Sequence, residues 1–494
     1  MGIWFNASLC VFAGAGSFLF GYDSGVMTDV IASPNFLAFF NTTKTSPIIG
    51  AINSTFSGGA VFGSLMGGLI MDKIGRRWTI QTGAIICLVG AILQAAARNL
   101  SMMLVGRIAT GWAVGLMSMS VPIYQSECAH PNVRGLMVGI TQQMIGFGFI
   151  VSTWVGYGSA QMPDESSFQW RFPLAFQVVP CIIMIFGLLF FPESPRQLIE
   201  KGKELEGMRV LQRLHYNGRN GDWIQSEFDE IKATVDAERE ITAPGWRPMF
   251  TVKKWRMRLI QATLVQVFTQ FSGINVIGYY QTIMYENLGI TGKRNLLVTG
   301  IYNCIGPLAN LIFILFILDR VGRKKPLLFG TVTITIALIC EAAIGSRVRK
   351  GVDNKAIQYS GVFFLFLVSV LFSLSFGPVS WVYMSEVMPM QIRARGSAFA
   401  TGIGNWLVST FWSQVSPIAL GALGWKFYFI FCAFNVFITF PTIWFTFQET
   451  KQLSLEEIDL LFGDGALGRL PTDSNLVRQQ ERLSVDKTET TKVG

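Results

Sequence analysis

Asp72-Lys73-Ile74-Gly75-Arg76-Arg77 returns as Asp319-Arg320-Val321-Gly322-Arg323-Lys324, and each copy joins two long apolar runs. Farther along, Glu127 is followed after six residues by Arg134-Gly135. Glu386 is followed after six residues by Arg393, with Gly396 close behind. Two patterns repeated in the same order make this chain two related halves. The apolar runs around them thread both halves through a membrane.

Composition agrees. The chain has 494 residues, 51% of them hydrophobic and only 14% charged, against roughly 25% charged in ordinary soluble domains. Its mean hydropathy is +0.42. The net charge of +9 does not point to nucleic acid, because Lys and Arg cluster in short loops between apolar runs, where positive charge sets topology. Cys10, Cys87, Cys128, Cys181, Cys304, Cys340 and Cys432 stand singly, and His130 and His215 fall in polar connections. Neither a metal site nor a disulfide framework follows from such spacing. No nucleophile-base or metal constellation for an enzyme emerges, and no cofactor is implied.

A spanning helix needs about 20 mainly apolar residues, and about twelve runs meet that criterion. They start near Leu9, Ile48, Trp78, Met102, Leu136 and Phe172, then near Leu259, Leu296, Pro326, Tyr359, Ser397 and Phe427. The first run lacks a basic start and carries Asp23, so it reads as an uncleaved anchor rather than a signal peptide. Met1-Gly2 resembles a myristoylation start, but Asn6 stands where Ser or Thr is needed. The expected division is 1–191 for the first six-helix bundle, 192–255 for a charged helical insert, 256–447 for the second bundle and 448–494 for a tail. In the insert, Leu205, Met208, Leu211 and Leu214 recur at helical spacing. Residues 463–494 are polar and Ser/Thr-rich, the composition of disorder.

Loop charge sets the orientation. One side carries residues 72–77, Arg134, the insert, residues 320–325, Arg393 and Arg395; the other is sparse. The basic side is expected to be cytoplasmic, with both termini there. Arg347, Arg349, Lys350 and Lys355 oppose this assignment in one loop. Asn41-Thr42-Thr43 is a glycosylation sequon on the expected outer side.

The repeated cassettes are expected to be tight turns at Gly75 and Gly322. Their arginines can reach helix ends and carboxylates of neighbouring helices. Pro131 or Pro389 follows each glutamate and lets Arg134 or Arg393 fold back toward the same cluster. The expectation is a cytoplasmic latch between the halves, built from Asp72, Arg76, Arg77, Glu127 and Arg134 with Asp319, Arg323, Glu386 and Arg393. A local surface pair of this kind contributes little, but a cluster present in one state biases a two-state equilibrium. Two related membrane halves suit a carrier that rocks them about a central site.

Further segments carry a family resemblance: Phe20-Gly21-Tyr22-Asp23, Pro122-Ile123-Tyr124-Gln125-Ser126-Glu127, Pro192-Glu193-Ser194-Pro195-Arg196, Gln270-Phe271-Ser272-Gly273-Ile274-Asn275 with Tyr279-Tyr280, Gly377-Pro378-Val379-Ser380-Trp381, and Glu449-Thr450-Lys451. In this order the chain resembles the sugar porter family of the major facilitator superfamily, and its fungal monosaccharide transporters in wording. The resemblance implies an all-α membrane protein of the major facilitator fold, with twelve transmembrane helices in two pseudo-symmetric six-helix bundles. It adds Glu193, Arg196 and Glu449 to the latch.

It also implies site residues. Asp23 and Arg107 each lie about 10 Å from the outer end of their helices, at 1.5 Å per residue. Helix direction therefore brings both to one depth, where an unpaired charge is costly. Protonation of Asp23, releasing Arg107, is the expected coupling event; the alternative is a static pair. Gln142, Gln270, Asn275 and Asn405 match the family's sugar-contacting carboxamides, which donate and accept together. Trp381 and Trp406 match its tryptophans, and Tyr279 and Tyr280 its outer gate. Gln143 and Gln414 are nearby candidates. Glu341 is expected to snorkel at the outer end of the ninth helix, and Asp29 and Glu286 to be helix-end residues. The chain departs from the family at Thr269, where many members carry a second glutamine, at Asn303 and Asn310, which fall out of the family's register, and at Gln448. The implied function is import of a hexose or pentose with a proton by alternating access, by a monomer in the plasma membrane or, alternatively, a vacuolar one. A uniporter, a proton symporter of a polyol, disaccharide or quinate, and a sugar sensor remain the alternatives. The partners are sugar, proton and lipid bilayer, with no nucleic acid.

Overall fold

The computed structural model describes residues 2–44, 46–129, 134–216, 220–241, 246–349, 355–389, 392–451, 453, 458 and 461–462. All regular structure among these is helical. The tail from 463, His130, Pro131 and residues 217–219 of the insert lie outside the described residues. So do the side chains of Arg134 and Asp319.

Among the described residues ten helices are long and apolar enough to cross a membrane. The last, Arg393–Thr446, has 54 residues, and a 3-10 turn at Gly424–Phe427 folds it into two passes. The seventh expected run, outside these ten, is two helices, Lys253–Phe271 with four basic residues at its start and Ile274–Asn287. The break is at Gly273, whose φ of +83° is left-handed backbone that a glycine adopts without strain. Twelve passes result. In the first half they are Ser8–Ala32, Pro47–Ile74, Arg76–Ala95, Leu100–Cys128, Leu136–Ser159 and Phe168–Phe190. In the second they are the interrupted seventh, then Lys293–Phe316, Lys324–Arg347, Lys355–Val387 and the folded Arg393–Thr446.

Among the described residues several spans of the second half carry irregular backbone, the twelfth by a π-helical turn at Asn435–Thr439. The seventh breaks at Gly273. The tenth breaks between Ser373 and Phe376. The eleventh is π-helical over Ala400–Leu407. Irregular backbone at membrane depth persists only where it lines a cavity or is buried in protein. The two halves meet along the second and eleventh spans, the fifth with the eighth and tenth, and the first with Ile274–Asn287.

The insert forms Pro195–Glu200, Glu204–His215 and Gly221–Ile241. Ile199, Leu211, Ile224, Phe228 and Val235 make a small apolar core of its own. Of the expected stripe, Leu211 and Leu214 are buried, but Leu205 is 78% exposed.

Each repeated cassette is a sharp turn between two spans. Gly75 has φ +107° and Gly322 φ +94°. A Cβ on Gly75 would stand 2.4 Å from Glu193 Oε2, and one on Gly322 2.6 Å from Glu449 Oε2. Two constraints, backbone sign and a carboxylate in van der Waals contact, exclude any side chain. Gly75→Ala and Gly322→Ala should each lower stability by about 1–3 kcal/mol, read as a drop in the unfolding temperature of the detergent-solubilised protein. An unchanged unfolding temperature would show that the turn relaxes without cost.

Candidate functional site

The end of the molecule that holds Gly75 and Gly322 carries two matched charge clusters. In the first half, Glu193 Oε1 accepts from the backbone N–H groups of Arg76 (3.0 Å), Arg77 (3.1 Å) and Ser194 (3.0 Å). It thus caps the N-terminus of the third span, where orphan donors and the helix dipole favour an anion. Arg76 Nη2 reaches Glu127 Oε1 at 2.9 Å, and Ser194 Oγ donates to Glu127 Oε2 at 2.6 Å. In the second half, Glu449 accepts from Arg323 N (2.8 Å), Lys324 N (3.1 Å), Thr450 N (3.1 Å) and Lys451 N (3.1 Å). Arg323 grips Glu386 with Nη2 at 2.8 Å and Nε at 3.1 Å, and Thr450 Oγ1 donates to Glu386 at 2.7 Å. Burial pushes the Glu193 carboxyl above its ordinary value, while its backbone donors and Arg76 oppose the rise.

Both clusters close within their own half, which differs from the expected network between halves. The physical reason is the cap: each glutamate after the sixth or twelfth span is held by the helix that follows its own half's cassette. Arg393 donates to Met388 O at 3.4 Å. An ion pair that crosses the halves here is Asp72 Oδ2 with Arg395 Nη2, at 3.1 Å. Beside it Met71, Met119, Ile123 and Ala398 form an apolar plug from both halves.

The opposite end is also closed. Lys44 and Glu286 pair at 2.5 Å, so Glu286 bridges the halves rather than simply ending a helix. Thr28 Oγ1 donates to Gly278 O at 2.9 Å. Tyr280 is 1% exposed; its hydroxyl donates to Ser413 O at 2.6 Å and accepts from Asn53 at 3.3 Å. Gln414 accepts from Ser54 at 2.9 Å at this end, away from the centre.

Between the two closures lies a cavity of about 110 Å³. A cavity needs about 10–15 Å³ on that measure to admit one water, so this one has room for several waters or a small solute. Six carboxamides line it: Gln142, Gln270, Asn275, Asn303, Asn310 and Asn405. Trp381, Phe20, Phe149, Tyr279, Tyr302 and Phe372 supply aromatic surface. The broken seventh helix places Gln270 and Asn275 on either side of its turn. Asn275 donates to Gln270 at 2.6 Å, and Gln270 donates to Asn405, which the π-helical stretch presents. Trp381 Nε1 donates to Gln142 Oε1 at 3.2 Å across the halves.

Several expected positions fall elsewhere. Trp406 does not line the cavity. It is 1% exposed, packs tilted against Phe20 with ring centroids 4.7 Å apart, and donates to Ser118 at 3.1 Å. The widened π-turn swings Asn405 inward and its neighbour Trp406 toward the first half. Tyr280 sits in the outer closure, where an outer-gate residue is expected, while Tyr279 also lines the cavity. Gln143 stands behind the wall, accepting from Asn310 at 2.7 Å. Asn303 and Asn310, out of register with the family, both face the cavity. They are seven residues apart, the same face of one helix, and that spacing was available in the sequence. Ser369 and Ser373, four apart on the tenth span, line it too. Thr269 also lines it, with its hydroxyl turned to Val265 O at 2.9 Å.

Asp23 and Arg107 meet as expected. Oδ1 and Nη1 are 3.2 Å apart and both side chains are 1% exposed. Arg107 also donates to Asp23 O at 3.3 Å and Ile52 O at 3.4 Å, and lies 4.4 Å above the Phe56 ring. Asp23 does not line the cavity; Phe20, one turn away, does. Asp29 is only 6% exposed, with its carboxyl against Gly156, and Glu341 is 2% exposed. Asp29 lies in the last turn of its helix as expected, but buried, and Glu341 is buried rather than snorkelling.

Two bundles of six spans closed at both ends about a central polar cavity define a major facilitator carrier. The chain belongs to the "Sugar (and other) transporter" family, whose model matches residues 9–462. The MFS-type transporter criB of Aspergillus cristatus is 38% identical over 97% of this chain and 98% of its own length. The MFS glucose transporter mfs1 of Aspergillus flavus is 29% identical over 97% of this chain and 93% of its own. The proton:xylose symporter XylE of E. coli, bound to 6-bromo-6-deoxy-D-glucose, superposes with a TM-score of 0.81 at 26% identity, covering 93% of this chain and 98% of that one. This protein is an integral membrane transporter and not an enzyme.

Arg323 and Glu386 are 3% and 9% exposed. Removing one partner of a buried pair leaves the other charge stranded, at about 3–5 kcal/mol. Arg323→Leu should therefore unfold at markedly lower temperature than wild type, and Arg323→Leu with Glu386→Leu should recover part of the loss. A single variant as stable as wild type would count against the buried pair.

Proposed function

We propose that the protein imports a monosaccharide together with a proton by alternating access, across the plasma membrane, with the cassette end and both termini cytoplasmic. The carrying observation is a central cavity of six carboxamides held shut at both ends by contacts between the halves. Carboxamides both donate and accept, which suits ring hydroxyls, and Trp381 offers an apolar face to the ring.

On this reading the outer closure opens first. Lys44 and Glu286 separate, and Tyr280 leaves Ser413. Sugar enters and bonds to Gln142, Gln270, Asn275 and Asn405. Asp23 takes up a proton, which weakens its hold on Arg107 and frees the first helix to follow Phe20 over the sugar. The inner side then opens by parting Asp72 from Arg395 and withdrawing the Met71–Ala398 plug. Glu193 and Glu449, holding caps within their own halves, keep each bundle rigid through the motion. The basic loops at the cassette end support the orientation.

A second reading is uniport with a static pair. The bonds from Arg107 to the carbonyls of Ile52 and Asp23 favour it, since they persist whatever the carboxyl does. Asp23→Asn separates the two. Symport predicts that the variant still exchanges labelled D-glucose or D-xylose in counterflow but loses accumulation driven by a proton gradient. Equal, gradient-insensitive uptake by wild type and variant would establish uniport. For the sugar site, Gln270→Ala removes a carboxamide that links Asn275 to Asn405. One lost hydrogen bond is about 1 kcal/mol, so half-saturation should rise about fivefold to tenfold with expression unchanged. An unchanged value would remove Gln270 from the site.

A further inference from the structure

A second pocket, of about 490 Å³, lies at the cassette end where the first bundle meets the insert. Arg77 and Trp78 enter it from the first turn of the third span. Lys201 and Lys203 come from the link between Pro195–Glu200 and Glu204–His215, and Arg209 from the latter helix. Two carboxylates also line it, and both are already engaged. Glu193 accepts from three backbone N–H groups, and Glu206 pairs with Lys203 at 3.4 Å. Among the described residues, Arg77, Lys201 and Arg209 form no ion pair. The Arg77 guanidinium lies 4.8 Å from the Trp78 ring centroid, with Nε buried and without a hydrogen-bond partner. Lys201 Nζ donates to Lys73 O at 2.9 Å, which leaves two of its three donors.

Three cations from two parts of the chain thus converge with no carboxylate to answer them. Like charges gathered in a concave site draw a counter-anion. The remaining wall is apolar. Ile74 ends the second span and is exposed, and the exposed Trp78 is of the type that sits at headgroup level. Leu189 and Phe190 end the sixth span, exposed, just before Pro192, which also lines the pocket. The edge of the hydrocarbon layer therefore passes the mouth of the pocket. A headgroup held by the cations leaves its acyl chains against these side chains, which a soluble anion does not cover.

We propose that this pocket binds the phosphorylated headgroup of an anionic phospholipid and thereby clamps the insert to the first bundle. Arg77 presents a planar fork to a phosphate, and Lys201 and Arg209 close on it from the insert. Basic pockets at the ends of spans recognise lipid headgroups in this way. The inference rests on the chain being a membrane carrier and not on the sugar, on coupling or on orientation.

The test follows the unfolding temperature of the purified full chain in detergent. Three additions are compared: dioctanoyl phosphatidylinositol phosphate, dioctanoyl phosphatidylcholine, and the soluble inositol phosphate of the same headgroup. A ligand that binds only the folded protein stabilises it, so the inositol lipid should raise the unfolding temperature saturably and phosphatidylcholine should not. Each basic residue beside an anionic headgroup is worth about fivefold in affinity. Lys201→Gln with Arg209→Gln should therefore weaken the apparent affinity about thirtyfold, while Lys201→Arg with Arg209→Lys should bind as wild type does. Both positions are exposed and away from the central cavity. No shift with the inositol lipid, an equal shift with phosphatidylcholine, or an unchanged affinity in the glutamine variant would overturn the proposal. An equal shift with the soluble inositol phosphate would overturn the lipid assignment and make the pocket a site for a free phosphorylated solute. Native mass spectrometry gives a second reading on wild type: one inositol lipid should stay bound after phosphatidylcholine has been stripped, and none retained would contradict the site.

Discussion

A carboxylate placed on the first turn of a helix that it does not belong to is the contact on which the rest depends. Glu193 sits on the third span and Glu449 on the ninth, each accepting several backbone N–H groups. The contact exists because Gly75 and Gly322 have no side chain and turn with positive φ. It ties the end of each bundle to its middle. The arginine just inside the capped helix then meets the glutamate at the end of the fourth or tenth span. Each half becomes a self-contained body, with its largest charges satisfied internally.

That arrangement leaves the boundary between halves to weaker contacts. A part-exposed Asp72–Arg395 pair and an apolar plug close one end; Lys44–Glu286, Tyr280 and Thr28 close the other. Exposed ion pairs contribute little individually. Such closures can break one end at a time, whereas the buried clusters within each half cannot be opened cheaply. The cavity between them is built where the backbone is irregular. The break at Gly273 and the π-turn around Asn405 turn carboxamides inward that a straight helix would spread over several faces.

Much of this was legible in the sequence. The duplicated cassette and its following glutamates revealed two membrane halves, and Asp23 with Arg107 was placed at one depth by helix direction alone. The partners of the cassette arginines were correctly drawn from one set of residues. Their closure within each half was not visible, because sequence order does not say which helix N-terminus a distant glutamate reaches. Arg395 was read only as loop charge, since its partner lies in the other half. Trp406 was expected at the cavity from the family resemblance, whereas Tyr280, expected at the outer gate, does sit in the outer closure. A π-turn sends Trp406 elsewhere, and no local signal marks that turn. Asp29 and Glu341 were placed at helix ends by counting residues, but neighbouring spans cover them.

Spin-label distances test most directly whether the halves move as rigid bodies about the cavity. One pair, at Lys73 and Lys201, lies within the first half, where the Lys201 Nζ donates to Lys73 O at 2.9 Å. Another, at Lys73 and Ala394, spans the closure beside Asp72–Arg395. Rigid-body rocking predicts that adding D-glucose or D-xylose redistributes the distance across the halves and leaves the distance within the half unchanged. A change in the Lys73–Lys201 distance with a fixed Lys73–Ala394 distance would contradict it.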